Sequence, residues 1–196
     1  GVTTNFTYTA GSQLATIQYP DEQVSFIYDD LGRRTQMNDS SGETTWRYDT
    51  LGRALSISSR DETIGYAYDL VGNRTQMTYP NGTVVDYHYD AADRLASITA
   101  NTIADDIQYA YDNANRLADV SLPNGITANY AYDPAGRLLS LDYLNGETLL
   151  SSFDYLYDAT GNRTSASEYL STSTVERLLY PVAVHLVHAG QAQPNR

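Results

Sequence analysis

Tyrosine is followed by aspartate seven times in this chain, and four residues after each of those tyrosines stands a residue that tolerates a left-handed backbone. The copies are Tyr28-Asp29 with Gly32, Tyr48-Asp49 with Gly52, Tyr68-Asp69 with Gly72, Tyr89-Asp90 with Asp93, Tyr111-Asp112 with Asn115, Tyr132-Asp133 with Gly136, and Tyr157-Asp158 with Gly161. The steps from tyrosine to tyrosine are 20, 20, 21, 22, 21 and 25 residues. A recurring period of this size identifies an array of one small supersecondary unit. Such an array offers a wall or a surface rather than a lone catalytic pocket.

The unit itself reads as a hairpin. Two residues before each tyrosine is another aromatic: Phe26, Trp46, Tyr66, Tyr87, Tyr109, Tyr130 and Tyr155, with Phe6 and Tyr8 opening the chain as a weaker copy that lacks the aspartate. A spacing of two puts both rings on one face of a strand. The Asp-x-x-Gly that follows suits a type I turn closed by a G1 bulge. The aspartate accepts from backbone amides and the fourth residue takes positive φ, which Asp93 and Asn115 also tolerate. Nine residues past each tyrosine come Met37, Ile57, Met77, Ile98, Val120, Leu141 and Ala166. Counting back by two from these positions puts Leu55, Ala96, Ala118 and Leu139 on the same face of a second half-buried strand.

A second tight turn closes each unit, at Pro20-Asp21, Ser41-Gly42, Arg60-Asp61, Pro80-Asn81-Gly82, Asp105-Asp106, Pro123-Asn124-Gly125 and Asn145-Gly146. Asn-Gly between alternating runs is the strongest of these signals. The expected fold is therefore all-β: tandem antiparallel β-hairpin repeats, about sixteen strands, joined into a long, twisted, spiralling sheet. Strand twist accumulates, and open, strongly twisted sheets rarely exceed about ten strands without curling.

Charge narrows the partners. The formal net charge is −12, and all twelve basic residues are arginines. A surface of this sign repels phosphate backbones, so nucleic acid is disfavoured as a partner, as are anionic membranes and sulfated glycans. The chain has no cysteine, which leaves the redox compartment open. No apolar run approaches the roughly 20 residues of a membrane helix, so membrane insertion is not expected. No signal peptide is visible, and Gly1 in place of a methionine reads as a piece of a longer polypeptide or a trimmed form.

The Tyr-x-Tyr-Asp-x-x-Gly-Arg-Leu unit resembles the tyrosine–aspartate (YD) repeat of Rhs proteins, bacterial wall-associated proteins, toxin-complex C components and teneurins. Tyr130-Ala131-Tyr132-Asp133-Pro134-Ala135-Gly136-Arg137-Leu138 and Tyr66-Ala67-Tyr68-Asp69-Leu70-Val71-Gly72-Asn73-Arg74 carry the resemblance most fully. It covers about residues 6–168 and implies a β-sheet that closes into a hollow shell around a C-terminal toxin. By that resemblance the chain is one arc of a YD-repeat shell: residues 1–168 form the repeat array and residues 169–196 a divergent tail. The implied function is a non-catalytic structural segment that encapsulates and helps deliver the toxin. Its partners would be the remaining repeats of the parent shell and the enclosed toxin segment, in a secreted or cell-surface bacterial setting. The alternative is a cell-surface adhesion module that binds carbohydrate or a protein partner.

Candidate chemistry reads mostly as structure. One aspartate per repeat does not supply the six to eight converging oxygens of a calcium site. Arg33, Arg53, Arg94, Arg116 and Arg137 follow the turn residue directly. Each is expected to pair with an aspartate across its turn or in the neighbouring unit, an exposed pair worth about 0–1 kcal/mol, and its flat fork can stack on tyrosine rings. His185 and His188 lack a third ligand at recognisable spacing, and Asp105-Asp106 reads as a solvated turn. Asp133-Pro134-Ala135-Gly136-Arg137 resembles the Asp-Pro-x-Gly motif that ends Rhs cores and takes part in their self-cleavage. It lies in phase with six other turns and reads as a turn. No catalytic, cofactor or metal site is expected. Exposed rings offer stacking surfaces for sugars, but their strict period favours a structural ladder.

Overall fold

The structure, a computed structural model, describes residues 2–171. His185, His188 and nearly all of the expected tail lie outside them. The chain divides into two compact units, one ending at Asp86 and one beginning at Tyr87. The first contains β1 (Asn5–Tyr8), β2 (Leu14–Gln18), β3 (Gln23–Tyr28), β4 (Arg34–Asp39), β5 (Gly42–Tyr48), β6 (Ala54–Ser59), β7 (Glu62–Tyr68) and β8 (Arg74–Thr78). β9 (Val84–Tyr89) carries the chain from the first unit into the second. The second unit contains β10 (Leu95–Ala100), β11 (Ile107–Tyr111), β12 (Leu117–Ser121), β13 (Ile126–Tyr132), β14 (Leu138–Asn145), β15 (Thr148–Tyr157) and β16 (Arg163–Leu170). Among the described residues the fold is all-β, and strand order follows chain order from β1 to β16 without a crossover.

Each Tyr-Asp turn forms as its sequence requires. At the first, the Asp29 amide donates to the Arg33 carbonyl and the Gly32 amide to the Asp29 carbonyl, both at 2.9 Å. Gly32 sits at φ 80°. Asp93 and Asn115 take the same place at φ 57° and 61°. The weak opening copy is a full hairpin as well: the Thr9 amide donates to the Gln13 carbonyl, and Ser12 stands in for glycine at φ 61°.

The two rings of each strand share a face, and the residue between them is exposed at all seven copies. Directly across from the first ring lies the residue nine past the tyrosine: Phe26 faces Met37, Trp46 Ile57, Tyr66 Met77, Tyr109 Val120, Tyr130 Leu141 and Tyr155 Ala166. The apolar core of each unit is thus a row running across the strands. Met77 and Val85 are its most enclosed members in the first unit and Ile107 in the second, at 1%, 0% and 1% exposure.

Two expectations fail. Leu55 and Leu139 do not join the ring face; they are 42% and 38% exposed. Two residues beyond the turn, every Tyr-Asp hairpin whose register is resolved carries a second bulge. Tyr48 pairs with Ala54 while Arg47 pairs with Ser56, so Leu55 is the extra residue, and Ala118 and Leu139 are skipped in the same way. A bulge shifts strand alternation by one, so the ring-side residue is Ala54, Leu117 or Leu138 instead. The second turns at Pro80-Asn81-Gly82 and Pro123-Asn124-Gly125 form as expected. The Gly82 and Gly125 amides donate to Tyr79 and Leu122, which puts proline and asparagine at the turn centre. That is a type I turn with a G1 bulge, as proline at the second position favours. The other failure is at Asp105-Asp106, which ends a six-residue loop, Asn101 to Asp106, rather than a tight turn.

Candidate functional site

Each repeat places its tyrosine and aspartate, and in five of the seven an arginine, where two hairpins meet. The aspartate organises its own turn. Asp49 Oδ1 accepts from the Leu51 and Arg53 amides, both at 2.9 Å, and Oδ2 accepts from Arg53 Nε at 2.7 Å. Asp29, Asp90, Asp112 and Asp133 repeat this with Arg33, Arg94, Arg116 and Arg137. Asp69 and Asp158 take an asparagine instead, Asn73 and Asn162, each at 3.1 Å from Oδ2. Both carboxylate oxygens are thereby committed to protein donors, the opposite of an open cation site.

The arginine then reaches the next hairpin. Arg53 Nη1 donates to the Asp69 carbonyl at 3.0 Å and its guanidinium lies over the Tyr68 ring at 4.6 Å. Arg33 does the same to Asp49 and Tyr48, Arg116 to Asp133 and Tyr132, and Arg137 to Asp158 and Tyr157. Arg94 stacks on Tyr111 and donates to the Asn115 side chain at 2.7 Å. The sequence offered pairing across the turn or with the neighbour; each arginine does both. Nor are the pairs exposed: the arginine side chains keep 26–33% of their surface and the aspartates 11–27%.

The tyrosine completes the junction. Tyr28, Tyr48, Tyr68, Tyr111, Tyr132 and Tyr157 donate their hydroxyls to the carbonyls of Leu14, Arg34, Ala54, Leu95, Leu117 and Leu138 of the preceding hairpin, at 2.8–3.0 Å. Those of Leu14, Arg34, Ala54, Leu117 and Leu138 belong to the residue just before the extra residue of a bulge, where the ladder is disrupted. Tyr89 ends β9, and Asp90 opens the turn after it. In the opening copy Gln13 replaces the arginine and donates to the Gly32 carbonyl at 2.9 Å.

These bonds hold the aspartates ionised. At Asp90 the Arg94 side chain, and at Asp112 and Asp133 the backbone amide of Arg116 or Arg137, lead in pulling the carboxyl below its ordinary value. At Asp29, Asp49 and Asp69 burial pushes the carboxyl up, and hydrogen bonds from the turn overcome it. Asp158 is lowered furthest, to about 2, by the Thr160 hydroxyl and the Asn162 amide. Burial raises the Tyr48, Tyr109 and Tyr130 hydroxyls above 10.0.

The junction register is constant although the connecting loops are not. In seven successive junctions the residue eight past one tyrosine faces the residue three before the next: Thr16 faces Ser25, Gln36 Thr45, Ser56 Gly65, Gln76 Asp86, Ser97 Gln108, Asp119 Asn129 and Ser140 Asp154. These partners are 9, 9, 9, 10, 11, 10 and 14 residues apart in sequence. In the longest connection β14 and β15 extend their ladder to Asn145 and Thr148, and a bulge at Leu150 takes up one residue. Loop length ordinarily fixes hairpin register; here the tyrosine hydroxyl bond recurs at six of the seven junctions and the arginine contact at five.

The sequence profile of the teneurin YD-shell family matches residues 16–186. This chain belongs to that family. In three dimensions it is similar to a TcdB2-TccC3 crystal structure, at 18% identity and a TM-score of 0.68 over 88% of this chain. A second similar structure is the Photorhabdus luminescens Tc holotoxin pore carrying a TccC3 substitution, at 18% identity and a TM-score of 0.69. Identities this low establish a shared fold. The YD-shell chain spans about a tenth of the length of these structures. No curated protein sequence matches it. Apart from the junctions, the first unit holds an open polar trough of about 480 Å³, lined by Glu43, Thr45, Ser58, Ser59, Arg60, Asp61 and Thr63.

Proposed function

We propose that the chain is a non-catalytic wall segment of an Rhs-type β-shell that encloses a C-terminal toxin and helps deliver it outside the producing cell. The observation that carries this reading is the constancy of the junction. Tyrosine and aspartate, with arginine at five of the seven junctions, link hairpin to hairpin in one register through loops of different length. A chain built this way is extended by adding repeats, as a wall is. The residues on the repeat, Tyr28 to Gly161, serve as wall fasteners. The shell partners are further repeats, and the enclosed segment is the toxin.

Protease protection of the parent polypeptide tests this. A segment downstream of the repeats stays intact in the folded parent and is digested once Arg53 and Arg116 are both replaced by alanine. Digestion of that segment in the intact parent as fast as in isolation would refute encapsulation. Reproducible binding to a glycan array, lost on Tyr→Ala changes at exposed rings, would favour adhesion instead.

A further inference from the structure

Asparagine is followed by glycine at Asn81-Gly82, Asn124-Gly125 and Asn145-Gly146. The pair is chemically labile, because glycine has no Cβ to shield its amide nitrogen from the asparagine side-chain carbon. All three asparagines are exposed, so access to solvent does not distinguish them. Hydrogen bonding does. At the first two sites both reacting groups are engaged. The Gly82 and Gly125 amides donate to the Tyr79 and Leu122 carbonyls, each at 3.0 Å. Asn81 Oδ1 accepts from the Thr83 amide at 3.0 Å, and Asn124 Oδ1 from the Ile126 amide at 3.1 Å. Each of these Asx turns draws the side chain towards the amide beyond the glycine.

The third site is built differently. Asn145 ends β14 and pairs with Thr148 across a two-residue turn, with Gly146 at its first central position and φ 59°. A type II′ turn takes glycine there. Among the described residues neither the Gly146 amide nor the Asn145 side chain has a hydrogen-bond partner.

We propose that Asn145 is a site of spontaneous covalent modification, the first Asn-Gly pair of the folded chain to deamidate. The Gly146 amide gives its proton to a solvent base and its nitrogen bonds to Asn145 Cγ. The bond from Cγ to Nδ2 breaks, and Nδ2 leaves as ammonia with a proton from water. The cyclic imide then adds one water and opens to aspartate or to isoaspartate. Either product adds a negative charge to a chain already at −12. The isoaspartate also inserts a backbone carbon where β14 is paired on both sides, to Ile126 and to Thr148.

Lysine is absent, so trypsin cuts only after arginine and puts the three sites on separate peptides, residues 75–94, 117–137 and 138–163. The full 196-residue chain is aged in mildly alkaline buffer, folded or in urea beyond its unfolding midpoint, and the peptides are read by fragmentation mass spectrometry. In the folded chain Asn145 converts about tenfold faster than Asn81 or Asn124, which must first release their turn bonds. In urea the three rates converge. Equal rates in the folded chain overturn the proposal, as does an Asn145 that stays intact or converts after the other two. A lead for Asn145 that persists in urea also overturns it, since the cause would then be the flanking residues and not the fold.

Discussion

Removing one hydroxyl isolates the contribution of a junction. In Tyr48→Phe the ring still lies under Arg33 and only the bond to the Arg34 carbonyl, 2.8 Å long, is lost. A neutral hydrogen bond contributes about 0.5–1.5 kcal/mol net, and a carbonyl left unmet in a half-buried place adds to the loss. The expected destabilisation is about 2 kcal/mol. With a urea slope of about 2 kcal/mol per molar, the unfolding midpoint falls by about 1 M. Trp46, the single tryptophan, lies two residues from the change and reports the transition by fluorescence. Tyr8→Phe is the control: among the described residues its hydroxyl meets no carbonyl, and its ring is 63% exposed. In this 196-residue chain that variant shifts the midpoint by less than about 0.2 M. Equal shifts for the two variants would show that the hydroxyl bond does not hold the junction.

Arg53→Ala removes the Asp49 pair, the Asp69 carbonyl bond and the cover over Tyr68 together, and costs about 2–3 kcal/mol in urea unfolding. Arg53→Lys recovers less than half of that, because an ammonium cannot reach two acceptors and stack at once. Gly52→Val, at φ +85°, lowers the calorimetric melting point, with about 1–3 kcal/mol of backbone strain; an unchanged melting point would disprove the turn geometry. In acid the seven turn aspartates have folded values below 3.8. Their stabilisation is complete above about pH 4 and is lost as pH falls towards 2, the value of Asp158. In alkali the raised tyrosines stabilise the fold below pH 10.0 and lose this as pH climbs beyond it. Urea midpoints across pH read both limbs.

The hairpin metre was legible in the residues because each part has a local cause. Rings two apart must share a strand face, and Asp-x-x-Gly suits one turn. What lay hidden is non-local. The second bulge, which turns Leu55 and Leu139 outward, leaves no local signature, since the residues before and after it alternate normally. The tyrosine hydroxyl and the outer arm of Arg53 find partners some 14 to 16 residues away, on a neighbour whose register sequence alone does not give. The opening copy reads as weaker because it lacks the aspartate, yet Thr9, Ser12 and Gln13 stand at its turn positions and supply weaker forms of the same contacts.

If the junction rather than the loop sets register, then lengthening a loop must leave the pairing untouched. Two glycines inserted between Ser40 and Ser41 test this in the β4–β5 connection. Cross-strand nuclear Overhauser contacts between Gln36 and Thr45, partners in the parent chain, are expected to persist. Their replacement by contacts one or two residues along the strand would contradict the account.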